Sequence, residues 1–329
     1  MASDADELIQ IARSFERFAT VEARGSSPSY ERLAHAVADS PFTLAFLKSL
    51  PAERRQPNLF FAALREVVGV LDSADALRNA VQVHGVTVRR LMCSRTTQTN
   101  EPARCAVLLP ILASLAGPLA ILEVGASAGL CLLPDQYAYR YANHEVLPGG
   151  TQRSIYPVFT CAASASTPMP KALPVIVWRR GLDLNPLSVR SVRDMAWLEM
   201  LVWPEHQQRA DNLKAAIQVA QLNPPVVRRG DLRTDVAALI GFAPKDAQLV
   251  VFHSAVLAYV APQADRDGFA RLVRQSGAIW ISNEPSSTYP EFARLAPPAP
   301  GPDHFLLCVD ATPVAWTHPH GRSIDWFAP

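Results

Sequence analysis

The chain has 329 residues, 49% hydrophobic and 19% charged, which is enough for one large domain or two ordinary ones. Its 31 basic and 30 acidic residues leave a net charge of +1, so no charge excess directs it to nucleic acid or to an anionic membrane. No apolar run reaches the roughly 18 residues of a membrane span, and the acidic, amphipathic opening MASDADELIQ lacks the pattern of a signal peptide, so a cytoplasmic location is expected.

In chain order, the first hundred residues read as helical. ELIQIARSFERFA places apolar residues at helical spacing, SPSYERLAHAVA follows a Ser-Pro start signal, and SPFTLAFLKSL and PNLFFAALREVVGVL continue the pattern. A polar loop then leads into an apolar helix that ends at Gly117-Pro118. From there strand candidates alternate with helical stretches: LAILEV (119–124), PVIVWR (174–179), VVRR (226–229), QLVVFH (248–253) and GAIWIS (277–282). Helices are expected over GLCLLPDQYAYRY, SVRDMAWLEMLVW, PEHQQRADNLKAAIQVAQL and PQADRDGFARLVRQS. Apolar strands separated by helices predict a parallel sheet covered on both faces. HFLLCV (304–309) and TPVAWT (312–317) are joined by two residues only, too few for a crossover, so they predict an antiparallel hairpin. The expected organisation is a helical domain over 1–100, which would act as a lid, and a sheet domain over 101–329. An insertion rich in Pro, Gly, Ser and Ala near 143–173 would complete that lid.

The five cysteines, Cys93, Cys105, Cys131, Cys161 and Cys308, show no CxxC or CxxH spacing, so reduced thiols and no structural metal are expected. Trp197 and Trp203 sit at helical spacing and read as core or lid packing.

The most informative stretch is ILEVGASAGL, a strand running into a glycine-rich turn. Gly125-Ala126-Ser127-Ala128-Gly129 matches G-x-S-x-G, the nucleophile elbow of serine hydrolases. The same residues, with Glu123 two places earlier, also read as an acid-plus-glycine turn that wraps an adenosine cofactor. A third reading is a tight turn with no ligand. The hydrolase reading needs Ser127 as nucleophile and a later histidine, but no HG or HGGG oxyanion segment precedes it. In the cofactor reading Gly125 and Gly129 permit close approach, a helix starting near Ser127 offers free N–H groups, and Ala126 joins the contacts. Ser127 stands where G-x-G-x-x-G has its second glycine, which disfavours a pyrophosphate ligand such as NAD or FAD. Glu123, a carboxylate in an apolar strand, makes sense if the turn or a ligand satisfies it.

Ligands of open α/β sheets bind beyond the carboxyl ends of the strands, and polar residues recur there. Asp183 could grip ribose hydroxyls or cap a turn, and Asp231, with Leu232 beside it, could meet adenine or cap a helix. His253 and Ser254 end the fourth strand, where a substrate-orienting or basic group would stand, and Tyr259 could line the same mouth as a second catalytic candidate. Asn283 and Glu284 end the fifth strand. Gln98, Thr99, Asn100, Glu101 and Arg104 form a polar cluster before an apolar helix, read as a substrate or lid contact.

Five parallel strands closed by an antiparallel hairpin resemble the Rossmann-like, class I S-adenosylmethionine-dependent methyltransferase fold. The blocks QTNEPARCAVLLPIL, ILEVGASAGLCLLPDQYAY, RRGLDLNPLSV, WLEMLVWPE with Arg209, VVFHSAVLAYV and RQPNLFFAAL together resemble the DUF2332 family of bacterial proteins over nearly the whole chain. Where Cys131 stands that family usually carries asparagine, so a polar contact there is in doubt. The resemblance implies a methyltransferase-like fold and names no substrate. The expectation is therefore a methyltransferase that uses S-adenosylmethionine on an unknown small molecule, by in-line displacement driven by proximity, with His253 as base where the acceptor carries a proton. Glu123→Ala or Gly125→Val would then abolish binding and leave the chain folded. The alternatives are a non-catalytic adenosine-ligand binding protein on the same fold, and a serine hydrolase.

Overall fold

The computed structural model describes residues 4–98, 100–149 and 156–328, which divide into two compact units. The first comprises 1–99 with 193–211, and the second 100–192 with 212–329. Among the described residues there is no helix long and apolar enough to cross a membrane.

The first unit is helical. It holds α1 (Asp4–Arg17), a π-helical turn (Phe18–Ala23), α2 (Pro28–Ala38), α3 (Pro41–Lys48), α4 (Pro57–Val68) and α5 (Ala74–Ser94). Three of these helices start on serine caps: Ser27, Ser40 and Ser73 accept from the N–H groups of Tyr30, Thr43 and Ala76. Pro28 and Pro41 follow two of the caps, where the missing N–H costs nothing. The core is aromatic. Phe15 meets Phe60 and Phe61 edge-on, and Tyr30 stacks on Phe61 with ring centroids 4.8 Å apart. Trp197 and Trp203 belong to this core, with their indole N–H groups on Thr96 O and Asn58 Oδ1.

The second unit is built on a nine-stranded sheet. Its strands are β1 (Leu119–Val124), β5 (Ala162–Ala163), β6 (Ile176–Asp183), β7 (Val227–Arg229), β8 (Gln248–Ser254), β9 (Ile279–Pro285), β10 (Phe305–Val309), β11 (Thr312–Thr317) and β12 (Ser323–Trp326). A three-stranded sheet adds β2 (Ala138–Tyr141), β3 (His144–Val146) and β4 (Val158–Thr160). The remaining helices of the chain are α6 (Cys105–Leu112), α7 (Val192–Met200), α8 (Gln207–Leu222), α9 (Val236–Ile240), α10 (Gln263–Gln275) and α11 (Pro290–Ala293).

Five strands run parallel in the order β7-β6-β1-β8-β9, and β10, β11 and β12 follow as an antiparallel meander. The strand order reverses at β1, so the point beyond the carboxyl ends of β1 and β8 is the switch point of the sheet. Leu122 and Val124 of β1 face a cluster with Val251, Phe269 and Trp280. By alternation Glu123 faces the other side of the sheet, between Gly181 and Phe252 of the neighbouring strands.

One expected element is replaced. No α-helix follows β1; GLCLLPDQYAYRY forms two 3₁₀ turns, Leu130–Leu132 and Pro134–Gln136, and then β2. The cause is visible in the residues. Pro134 interrupts the run, and Tyr137, Tyr139 and Tyr141 alternate with period two, the spacing of a strand. All three rings are buried, with hydroxyls donating to Leu130 O, Pro134 O and Ala106 O. The argument from a helix N-terminus at Ser127 therefore falls. Within 143–173 the described residues contribute β3, β4 and β5.

Candidate functional site

The turn after β1 is held by its own chain. Gly125 N and Ala126 N donate to Leu182 O, Gly129 N to Ala126 O, and Ser127 N to Asp183 Oδ2 at 2.8 Å. Asp183 uses its other oxygen on Asn185 N at 2.7 Å, so the carboxylate expected on ribose serves as the brace of the turn. Gly125, Ser127 and Gly129 all have positive φ, at 75°, 50° and 76°. Neither glycine leaves open space. A Cβ on Gly125 would lie 2.1 Å from Val256 Cγ2, and one on Gly129 would lie 2.8 Å from Pro225 Cγ. These glycines admit neighbouring side chains, where the sequence had suggested room for a ligand. Ala126 is fully buried.

Two polar atoms of this turn have no partner. Glu123 is 5% exposed and its Oε2 makes no hydrogen bond; Ser127 is 4% exposed and its Oγ makes none. Burial pushes the Glu123 carboxyl well above the usual carboxylate range. Cys131 and Asp183 push in the same direction, and only Arg104 opposes them. The residues before α6 converge beside this carboxyl. Arg104 donates from Nε to Pro319 O at 2.8 Å and from Nη1 to Ser254 O at 3.1 Å. Asn100 Oδ1 accepts from Leu130 N at 3.0 Å, and Cys131 Sγ donates to Glu101 O at 3.3 Å. His320 Nδ1 lies 3.6 Å from Glu101 Oε2, and a Cβ on Gly321 would collide with Ala103 O, so the turn after β11 seals this side. Asn100 and Glu101 thus meet the end of the turn at Leu130 and Cys131, and the Arg104 charge acts on Glu123. Gln98 lies in the other unit, and Thr99 is outside the described residues.

His253 does not stand where the sequence reading placed a base. It is fully buried, and the Trp280 indole N–H donates to its Nε2 at 2.9 Å. The ring hydrogen therefore sits on Nδ1, which donates to Glu284 Oε1 at 2.7 Å. Both nitrogens are committed inside the core, so His253 offers nothing to a substrate. Glu284 also accepts from Val256 N at 2.9 and 3.1 Å and from Leu257 N at 3.1 Å. Its carboxylate fixes the 254–257 turn, where Ala255 has φ +58°, and so sets Val256 against Gly125. Asn283 is buried between Ser254 Oγ and the Thr317 hydroxyl, and its backbone carbonyl takes Ala255 N. Tyr259 is 86% exposed and lines no mouth. Asp231 holds the Arg233 guanidinium, and Leu232 packs against the sheet core. We expect Glu284→Ala to cost about 3 kcal/mol, because it leaves His253 Nδ1–H and two backbone N–H groups without their acceptor. Chemical denaturation checks this, and a loss under about 0.5 kcal/mol would contradict the brace.

Sequence reasoning missed Val256, Trp280 and the 318–321 turn. No local signal marks Val256; only the register of β1 and β8 brings it to Gly125. Among the described residues no group of three or more His, Cys, Asp or Glu is placed to hold a metal ion.

A family model described as "Uncharacterized protein conserved in bacteria (DUF2332)" matches residues 12–326. The chain belongs to this family. No curated protein and no solved structure matches it. In this DUF2332 protein, then, the candidate site is one buried corner of the second unit. It is formed by Glu123, Ser127, Asn100, Glu101, Arg104 and Cys131, at the carboxyl end of the first sheet strand. It combines an unpartnered acid and an unpartnered hydroxyl with a guanidinium already held by two carbonyls.

Proposed function

We propose that this protein binds S-adenosylmethionine at the turn after β1 and is a methyltransferase acting on a small molecule. The observation that supports it is the Glu123 carboxyl, buried with Oε2 unpartnered at the head of a turn whose Ser127 hydroxyl is also buried and unpartnered. A buried acid without a partner costs roughly 1–3 kcal/mol, and a ligand amine placed on it would offset that cost. Glu123 would hold the amino end of the cofactor, and Ser127 would add a hydrogen bond. When bound, the cofactor supplies an electrophilic methyl group. The chain's own contribution is positioning and the exclusion of water. With both His253 nitrogens committed, no base stands at the end of β8, so this reading suits an acceptor that is already nucleophilic at neutral pH.

Two other readings draw on particular observations. The missing base and the packing of Val256 on Gly125 favour a non-catalytic adenosine-ligand binding protein. The positive φ of Ser127 fits a strained nucleophile elbow, but no histidine is hydrogen-bonded to its Oγ.

Titration calorimetry with S-adenosylmethionine and S-adenosylhomocysteine tests the proposal. Both should bind to the wild type, and 5′-methylthioadenosine, which lacks the amino-acid end, should bind at least tenfold more weakly. Binding without turnover over a broad acceptor panel would favour the non-catalytic reading. No binding of either ligand, with fluorophosphonate labelling of Ser127, would replace the proposal with the hydrolase.

A further inference from the structure

A ligand anchored on Glu123 has to reach a carboxyl that is only 5% exposed, so part of its surroundings must move. Two parts are locked into the sheet. Glu123 itself is paired through β1 with Gly181 of β6 and Phe252 of β8. The 125–131 turn is pinned to Leu182 O, Asp183 and Asn100. The 318–321 turn between β11 and β12 is held differently. It lies over Glu101 and Arg104, which are buried, while His318, Pro319 and His320 stay half-buried on the outside. Within itself the turn is stiff: His318 N donates to Ser323 O at 3.0 Å, Gly321 N to His318 O at 2.9 Å and His320 N to His318 Nδ1 at 3.0 Å. Among the described residues no backbone hydrogen bond ties it to the 101–104 segment. Its ties there are side-chain ones: Arg104 Nε donates to Pro319 O at 2.8 Å, and His320 Nδ1 faces Glu101 Oε2 at 3.6 Å. Gly321, at φ +70°, closes the contact by lying directly on Ala103 O.

We propose that the 318–321 turn is a strap that swings as a unit and gives access to the Glu123 corner. The proposal rests on the reading of Glu123 as a ligand anchor and adds how that anchor is reached. A stiff turn held on its neighbour by two side-chain ties separates there before any ladder bond of the sheet breaks. Opening releases Arg104 Nε from Pro319 O, while Nη1 keeps its bond to Ser254 O at 3.1 Å. The cation therefore stays at the end of β8, where it acts on Glu123. Opening also uncovers Glu101 and the Cys131 thiol that donates to Glu101 O.

Cys131 is the reporter, because a buried thiol reacts only through the open state. The full chain is treated with excess N-ethylmaleimide and the label is followed residue by residue by mass spectrometry. Cys308, 2% exposed in the cluster of Leu306 and Trp316, is the control for global unfolding. Arg104→Lys cannot hold Pro319 O and Ser254 O together, so it should label Cys131 about tenfold faster. His320→Ala should act in the same direction. Gly321→Ala, whose Cβ would lie 2.0 Å from Ala103 O, should raise the rate at least tenfold. In all three Cys308 should label as in the wild type. Arg104→Lys aside, the variants should also speed the association of S-adenosylhomocysteine by a similar factor. The strap is overturned if Cys131 labels at the wild-type rate in all three variants, if Cys308 accelerates in parallel, or if S-adenosylhomocysteine binds Gly321→Ala and the wild type at one rate. Faster Cys131 labelling with no binding of S-adenosylhomocysteine to any form would uphold the strap and remove the cofactor reading alone.

Discussion

Gly125→Val should leave the second unit unable to fold at 37 °C. The residue sits at φ +75°, a region that costs an L-residue about 1–2 kcal/mol and a β-branched one more. Its Cβ would lie 2.1 Å from Val256 Cγ2 and 2.9 Å from Cγ1. That overlap adds at least another ~3 kcal/mol, because Val256 cannot retreat: its backbone N–H is held on both oxygens of Glu284. The total of roughly 5 kcal/mol consumes most of the stability of an ordinary domain. Gly125→Ala should behave as a milder version. Combining it with Val256→Ala should recover the steric part of the loss and leave the backbone part, which a double-mutant cycle separates. Soluble expression and thermal melts read the outcome. A Gly125→Val protein that melts like the wild type would show that Val256 does not occupy this position. The expectation from sequence, that this change removes a ligand and spares the fold, is reversed by the packing.

The reason for that reversal also marks what was legible in the sequence. Strands β1, β8, β10 and β11 follow from apolar runs and short links, and α1 to α4 follow from apolar residues at helical spacing, with a Ser-Pro start signal before α2. The two-residue link at Asp310-Ala311 was enough to predict a hairpin, and both residues adopt positive φ there. Legibility failed where a residue's meaning depends on a distant partner. Gly125 looks the same whether a ligand or Val256 fills its missing side chain. Asp183 looks the same on a ribose or on Ser127 N, and His253 the same in a mouth or against Trp280. Tyr137, Tyr139 and Tyr141 carry a period of two inside a run that is also long enough to be a helix. By contrast Glu123 stayed informative, because an acid inside an apolar parallel strand conflicts with burial whatever surrounds it.

That conflict predicts a substitution with opposite effects on stability and binding. Glu123→Met should stabilise the protein by about 2 kcal/mol near neutral pH and should abolish binding of S-adenosylmethionine. Removing a buried polar group that has no partner recovers its desolvation cost, and methionine fills a similar volume without a polar atom. The pH dependence has a definite sign. In the folded state the carboxyl titrates above its ordinary range, so the native chain binds a proton that the unfolded chain has already released. The contribution of Glu123 is therefore fully present below about pH 4.5, the ordinary value for glutamate, and is lost as pH rises through the raised native value. The advantage of Glu123→Met over the wild type should grow with pH across that window and level off above it. Glu123→Gln, which cannot titrate, should flatten the same slope and keep the shape. Denaturation midpoints at a series of pH values, compared with calorimetry on each variant, separate the two effects. If Glu123→Met is less stable than the wild type at every pH, the carboxyl is satisfied within the fold and loses its claim as a ligand anchor. If the variant is more stable and still binds S-adenosylmethionine with wild-type affinity, the cofactor lies elsewhere and the acid at the end of β1 serves another ligand.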